Sequence, residues 1–497
     1  MSQVFQHLPV LIIAVPLTAA PFVVLFRNSF LSWFISVVVS WFCLFSATTF
    51  LRSIYEGGEI PTYQLGGWDG HVGIVYQVDI VNSFVLTLVT AISAVVFVYA
   101  KTSVQDEIPK QKHHYFYAAL LLCFTGLMGM TITGDAFNVF VFLEISSLSG
   151  YALIAMGRNP KALTAAYRYL ILGTMGGTFI LLGIGFLYMM TGTLNMQELS
   201  ALIPHYAHTS VIRAAFAFIA VGACIKLALF PLHMWLPNCY TYAPSVVSAF
   251  LSATATKVSF YVLIRAMFTL FGVALMAQAK IFLFFVMFLA LLGIFVGSFK
   301  AIAQDDVKRL LAYSSIAQIG YMVLGLSLDN QDGLTGAIIH LFNHALTKGG
   351  LFLALGCIMY RVGSTKISDI AGIGKKMPIT MLAFTIGGLS LIGVPLTAGF
   401  ISKWYLALGA LHAGMWWLLA LILIASLLAV MYVFRVLETA YFKEPAFDKE
   451  IKEAPFSLLF PTLVLIGATI FFGIWTDPML GAARKSAELF TFTGGAL

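Results

Sequence analysis

Of the 497 residues, 60 % are hydrophobic and 10 % charged, where a soluble globular chain carries about 25 % charged residues. That composition excludes a soluble enzyme and marks an all-helical, multi-pass membrane protein without a separate soluble domain. The net charge of +7 is topology signal in such a chain and points to no nucleic-acid partner.

The apolar runs predict fourteen spans: 8–27, 29–51, 79–101, 115–133, 135–156, 163–190, 211–230, 243–271, 280–302, 310–328, 334–360, 378–411, 415–441 and 455–475. The first run, from Leu8, reads as a retained span and not a cleaved leader. The loop 52–78 carries Glu56, Glu59 and Asp69. Basic residues fall on alternate loops: Lys101, Lys110 and Lys112; Arg158, Lys161 and Arg168; Lys300, Lys308 and Arg309; Arg361, Lys366, Lys375 and Lys376. The positive-inside rule makes that side cytoplasmic and leaves both termini outside, in the inner membrane of a cell. His113 and His114 fall in a basic loop and read as surface. The linker 443–453 is mixed in charge, and the tail after Asp477 reads as a short surface segment. Cys43, Cys123, Cys224, Cys239 and Cys357 show neither metal nor disulfide spacing.

Two spans carry the same interruption. In 225–237, Lys226 precedes Pro231 and Pro237, and each proline removes a donor and clashes with the turn before it. In 391–403, Gly393, Pro395 and Gly399 precede Lys403. Broken backbone at membrane depth is tolerated where it is buried in protein or lines a wet cavity. Interrupted spans at matching places in two halves point to an inverted-repeat transporter. The expected division is 1–114 for helices one to three, 115–271 for the first five-helix repeat, 272–441 for the second, and 442–497 for helix fourteen and the tail.

Ionisable residues inside spans are costly and point to function. Glu144 needs a partner, and Lys226 is the natural one; a static ion pair holding two helices is the plainer alternative. Lys257 sits among Thr254, Thr256 and Ser259, and a dry setting disfavours its ammonium, which suits proton release. His340, His344 and Lys348 recur every four residues and share one helical stripe. Histidine titrates near neutral pH, so the stripe suits a relay; a metal site there lacks a nearby carboxylate or cysteine. Lys403 is a candidate for loading or releasing a proton on one side. Ser314, Ser315, Gln318 and Tyr321 are candidates for holding water. Asp135 reads first as a helix cap and second as an ion inlet. No phosphate loop, nucleophile elbow or metal cluster is apparent, so no cofactor and no catalytic residue is expected.

At these residues the chain resembles the antiporter-like subunits shared by Mrp-type cation/proton antiporters, respiratory complex I and membrane-bound hydrogenases. The matching stretches are 134–144, 191–196, 230–237, 255–258, 340–344 and 393–400. The runs before Glu144 and at 191–196, with Lys403, look most like the D-type component of the Mrp antiporters. The resemblance implies fourteen spans with two inverted five-helix repeats, and a carboxylate–lysine pair, central lysine and exit lysine joined by water. The function expected from it is a proton-translocating subunit of a multi-subunit sodium/proton antiporter, a transporter subunit and not an enzyme. Its partners would be other membrane subunits, including a second antiporter-like one, with lipid, protons and sodium. The alternatives are a pump subunit of a redox-driven complex, or one serving another ion-coupled process such as inorganic carbon uptake.

Overall fold

A computed structural model describes residues 2–58, 61–272, 280–445 and 451–492 and is almost entirely helical. Glu59 and positions 446–450 of the last linker lie outside the described residues. Six continuous crossings come first: α1 (Ser2–Phe26), α2 (Ser29–Tyr55), α3 (Ile80–Glu107), α4 (His113–Ile132), α5 (Ala136–Ala155) and α6 (Lys161–Thr191). A short helix, α7 (Met196–Tyr206), precedes the seventh crossing, which is split into α8 (Ser210–Leu227) and α9 (Leu236–Tyr242). The eighth comprises α10 (Ser245–Ala253), α11 (Ala255–Ile264) and a π-helical turn, Arg265–Leu270. Then follow α12 (Lys280–Ile302), α13 (Val307–Ser327), α14 (Gln331–Val362), the split pair α15 (Pro378–Ile392) and α16 (Ala398–His412), α17 (Trp416–Phe442) and α18 (Phe456–Ile474). Among the described residues thirteen segments are long and apolar enough to cross alone; α15 and α16 together make the twelfth crossing in chain order and bring the total to fourteen. The tail forms a helix of 16 residues, α19 (Asp477–Phe492).

Burial sorts these helices. α17 buries Leu418, Ile422, Ala425, Ala429, Val433 and Val436 at helical spacing and turns Leu423, Leu427, Met431 and Phe434 outward, the one-sided pattern of a helix at the rim. α13 and α14 are buried along most of their length. A buried polar side chain on them depends on partners inside the bundle, protein groups or water.

Two turns outside the helices share one plan. Asp135 caps α5 by accepting from the Asn138 amide at 2.6 Å. It is strand-bridged to Asn195, three residues past the left-handed Gly192 that closes α6. Asp306 caps α13 through the Arg309 amide at 3.0 Å. It is bridged to Lys366, three residues past the left-handed Gly363 that closes α14. Five crossings separate the two caps, and an odd number puts them on opposite sides of the membrane. An unforeseen hairpin, β1 (Thr62–Gln64) with β2 (Val75–Gln77), ties onto the first turn through Tyr76 and Thr133.

The helix breaks depart from expectation in three ways. α8 stops because Ala228 adopts a left-handed backbone (φ 62°), three residues before Pro231. Pro231 lies within the break, but Pro237 does not: it sits in the first turn of α9, where an N–H would lack an intrahelical acceptor anyway. Pro237 therefore starts a helix. In the twelfth crossing α15 closes at left-handed Gly393 and Pro395 lies in the gap, as expected. The third interruption has neither proline nor glycine: α10 and α11 part at Thr254 (φ −123°, ψ −57°).

Candidate functional site

A break leaves helix carbonyls without donors and exposes the negative end of the helix dipole. Lys226, Lys257 and Lys403 lie beside such breaks, whereas Lys348 sits within the uninterrupted α14. Lys403 donates to Leu391 O at 3.1 Å and Ile392 O at 2.8 Å, at the end of α15, and to Ser426 Oγ on α17 at 2.9 Å. Its stem packs against Gly393, where an added Cβ would lie 2.8 Å from Lys403 Cδ. Lys257, fully buried, donates to Ser252 O beside the Thr254 break. Lys348 donates to Leu311 O at 2.7 Å and to Ser314 Oγ. Lys226, in the last turn of α8, donates to Ser147 Oγ at 2.7 Å, while Glu144 Oε1 lies 3.7 Å away. The expected pair is present, but a serine is the lysine's nearest partner.

His340 and His344 share the α14 stripe, with ring centroids 6.1 Å apart. His340 Nδ1 meets Ser402 Oγ at 2.9 Å, and its ring lies 5.5 Å from that of Tyr321. Lys403 Nζ sits 5.0 Å above the Tyr321 ring. Lys257 lies within electrostatic reach of His340, His344 and Lys348, and Lys403 within reach of His340. Among the described residues no carboxylate pairs with Lys257, Lys348 or Lys403. His340 Nε2, both His344 nitrogens, Gln318 Nε2, Tyr321 Oη and Tyr432 Oη are buried without a hydrogen-bond partner among the described residues.

The predicted residues thus form two groups. Glu144 and Lys226 make one, with Ser147; Lys257, His340, His344, Lys348, Lys403, Ser314, Gln318 and Tyr321 make the other. Among the described residues no direct hydrogen bond joins them. Ser315 bonds back to Leu311 O at 3.0 Å. Asp135 is a buried cap, and burial raises its carboxyl above the ordinary range while the Asn138 and Phe137 amides pull it back. His113 is not surface: it is buried between Ser29 Oγ (2.6 Å) and Ile108 O (2.9 Å).

Sequence reasoning named Ser314 but missed two of the hydroxyls that hold the cations, Ser147 and Ser426. Ser147 follows Glu144 by three residues and so shares its helix face. Ser426 is an isolated hydroxyl in an apolar run, a signal that was there to read. It also passed over Arg265, which pairs with Asp79 and takes Tyr261 Oη as acceptor at 3.0 Å, beside a cavity of about 560 Å³.

A multi-pass bundle with Lys226, Lys257 and Lys403 on interrupted helices is an antiporter-like membrane subunit. Residues 133–429 match the family described as NADH:quinone oxidoreductase/Mrp antiporter, TM, and the chain belongs to that family. It is 42 % identical to the N-type component of the NADH-quinone oxidoreductase of Desulforudis audaxviator, covering 95 % of this chain and 97 % of the relative. It is 29 % identical to the D-type component of the Na(+)/H(+) antiporter of Alkalihalophilus pseudofirmus, covering 97 % of both. A chain of the membrane-bound sulfane sulfur reductase, an archaeal respiratory membrane complex, superposes with a TM-score of 0.90 at 31 % identity over 98 % of each chain.

Proposed function

We propose that this protein moves protons along the membrane midplane within a larger membrane complex, through Glu144, Lys226, Lys257, His344, His340 and Lys403, with Lys348 beside Lys257. The observation that carries this reading is the second group above. Its basic side chains form a series, Lys348 to Lys257 to His344 and His340 to Lys403, each within electrostatic reach of the next, and the group includes buried polar atoms with capacity for water. Water is the usual partner of such atoms in protein interiors. Adjacent cations in a low-dielectric site repel strongly, so a proton on one lysine favours loss from the next.

In this reading Glu144 and Lys226 form the switch. Closing their 3.7 Å gap holds the proton on the lysine; opening it passes the proton on. The working units are residues 115–271 and 272–441, flanked by 1–114 and 442–497, and the matched turns at Asp135 and Asp306 favour that division. The basic loops favour termini on the outer side.

Two driving reactions fit the same axis. The 42 % identity to a component of a quinone oxidoreductase favours electron transfer in a partner; the 29 % identity to a component of a sodium/proton antiporter favours exchange for sodium. Proton flux in vesicles carrying the purified complex tests both readings. An unaltered flux in Lys257→Ala would remove the axis from function. Flux driven by a reduced electron donor, without any sodium gradient, selects the redox reading.

A further inference from the structure

A cavity of about 350 Å³ opens between α6, α13 and the gap that separates α8 from α9. Arg168, His233, Met234, Asn238, Arg309 and Tyr313 line it. It lies apart from the lysine–histidine axis, and the proposed proton path uses none of these residues. Arg168 stands seven residues into α6, which at about 1.5 Å per residue places it some 10 Å below that helix's start. Arg309 is in the first turn of α13, which begins on the same side, the side that carries the basic loops.

Neither arginine forms a salt bridge among the described residues. The nearby acids are engaged elsewhere: Asp306 accepts from the Arg309 amide and the Thr365 hydroxyl, and Asp305 pairs with Arg435 at 2.7 Å. Arg309 Nε is buried with no hydrogen-bond partner. His233, 7 % exposed, has an equally unpartnered Nδ1. Two guanidinium groups, an imidazole and the Asn238 amide therefore line one hollow with no protein anion in it. The surface beside it is apolar and open: Leu163, Tyr167 and Ile171 form an outward stripe along α6, and Met234 is 69 % exposed.

We propose that this cavity holds the phosphate of an anionic membrane phospholipid, with its acyl chains along the α6 stripe and Met234. Arginine forks match phosphate oxygens two at a time, and basic pockets between transmembrane helices select anionic headgroups. A free phosphate would meet the same donors but has no use for the apolar stripe.

The test uses the full chain with the subunits that co-purify with it, reconstituted in nanodiscs of phosphatidylcholine alone or with a minority of phosphatidylglycerol. The wild type should melt higher with phosphatidylglycerol and retain that lipid in native mass spectrometry. An Arg168→Gln, Arg309→Gln double variant should melt normally in phosphatidylcholine yet lose the phosphatidylglycerol shift, with retention falling about tenfold. Lys300→Gln, on the same side but outside the cavity, should change neither. Equal lipid retention by the double variant would overturn the proposal. So would displacement of the lipid by inorganic phosphate at equal affinity, which reassigns the cavity to the free ion. A photo-crosslinker at Met234 that captures only a neighbouring subunit would overturn it too, since an acidic protein side chain would then be the occupant.

Discussion

In the half that runs from α4 to α11, Glu144 stands nine residues after the capping Asp135; in the half from α12 to α17, Ser315 stands nine residues after the capping Asp306. Fifteen residues before the closing glycines the positions are Gly177 in the first half and Lys348 in the second. An added Cβ on Gly177 would lie 2.2 Å from Glu144 Oε1, while Lys348 reaches Ser314 Oγ, next to Ser315. One backbone plan therefore carries an acid facing a glycine on one side and a lysine facing serines on the other. The first half holds its own counter-ion, with the Glu144 side chain 23 % exposed. Lys257, in the last helix of the first half, joins the buried cations that the second half gathers on neutral partners. A paired cation can stay charged, whereas unpaired neighbouring ones are under pressure to give protons up. The contrast teaches that one backbone plan can carry a paired cation in one place and unpaired neighbouring cations in another.

The sharpest way to break that contrast is Lys257→Arg. Arginine keeps the charge but does not release its proton, so vesicle flux should fall about 100-fold, nearly as far as in Lys257→Ala; substantial rescue by arginine would leave only a structural role. Glu144→Gln should likewise lower flux to near background with the complex still assembled, and Lys226→Ala should match it; normal exchange by either variant removes the pair from the switch. Gly177→Ala should push Glu144 from its place and slow flux about tenfold, whereas Gly185→Ala on the same helix, where an added Cβ meets nothing within 4 Å, should change nothing. In the second half, Ser402→Ala removes the His340 partner and should slow flux a few-fold with stability lowered by about 1 kcal/mol. Phe342→Ala, which takes away the ring that Phe84 and Phe472 both pack on, should instead cost about 3 kcal/mol of stability and leave flux per assembled complex unchanged. The smallest effects belong to the shared frame: Asp135→Ala and Asp306→Ala should each cost about 1 kcal/mol. Asp306 should cost more, because it also binds Thr365; equal melting shifts would deny that difference.

Much of this was legible because lipid enforces simple rules. Spans follow from apolar length, and Glu144, Lys226, Lys257 and Lys403 stand out because ionisable groups are rare there. The breaks at 228–235 and 393–397 were signalled by proline and glycine. The Thr254 break was not, because threonine in a helix carries no such mark and its backbone angles are set by packing. The place of Pro237 was misread because proline is disruptive inside a helix but welcome in its first turn. These serine partners escaped because hydroxyls are common in apolar helices, and only packing of α5, α16 and α17 brings Ser147 to Lys226, Ser402 to His340 and Ser426 to Lys403. The hairpin lay in a loop whose pairing depends on the distant Thr133.

A turn that closes equally well on either face of the membrane gives a nascent chain no instruction about which way to insert. That instruction falls to the charges beside it. The second turn has Lys300, Lys308 and Lys366 close by in sequence, while the loop that ties onto the first through Tyr76 carries the acidic Asp69. Moving the lysines from one turn to the other should lead the insertion machinery to thread a half upside down. The misthreaded half would still find the partners of its own cap, because Asp135 reaches Asn195, and Asp306 reaches Lys366, within the same half.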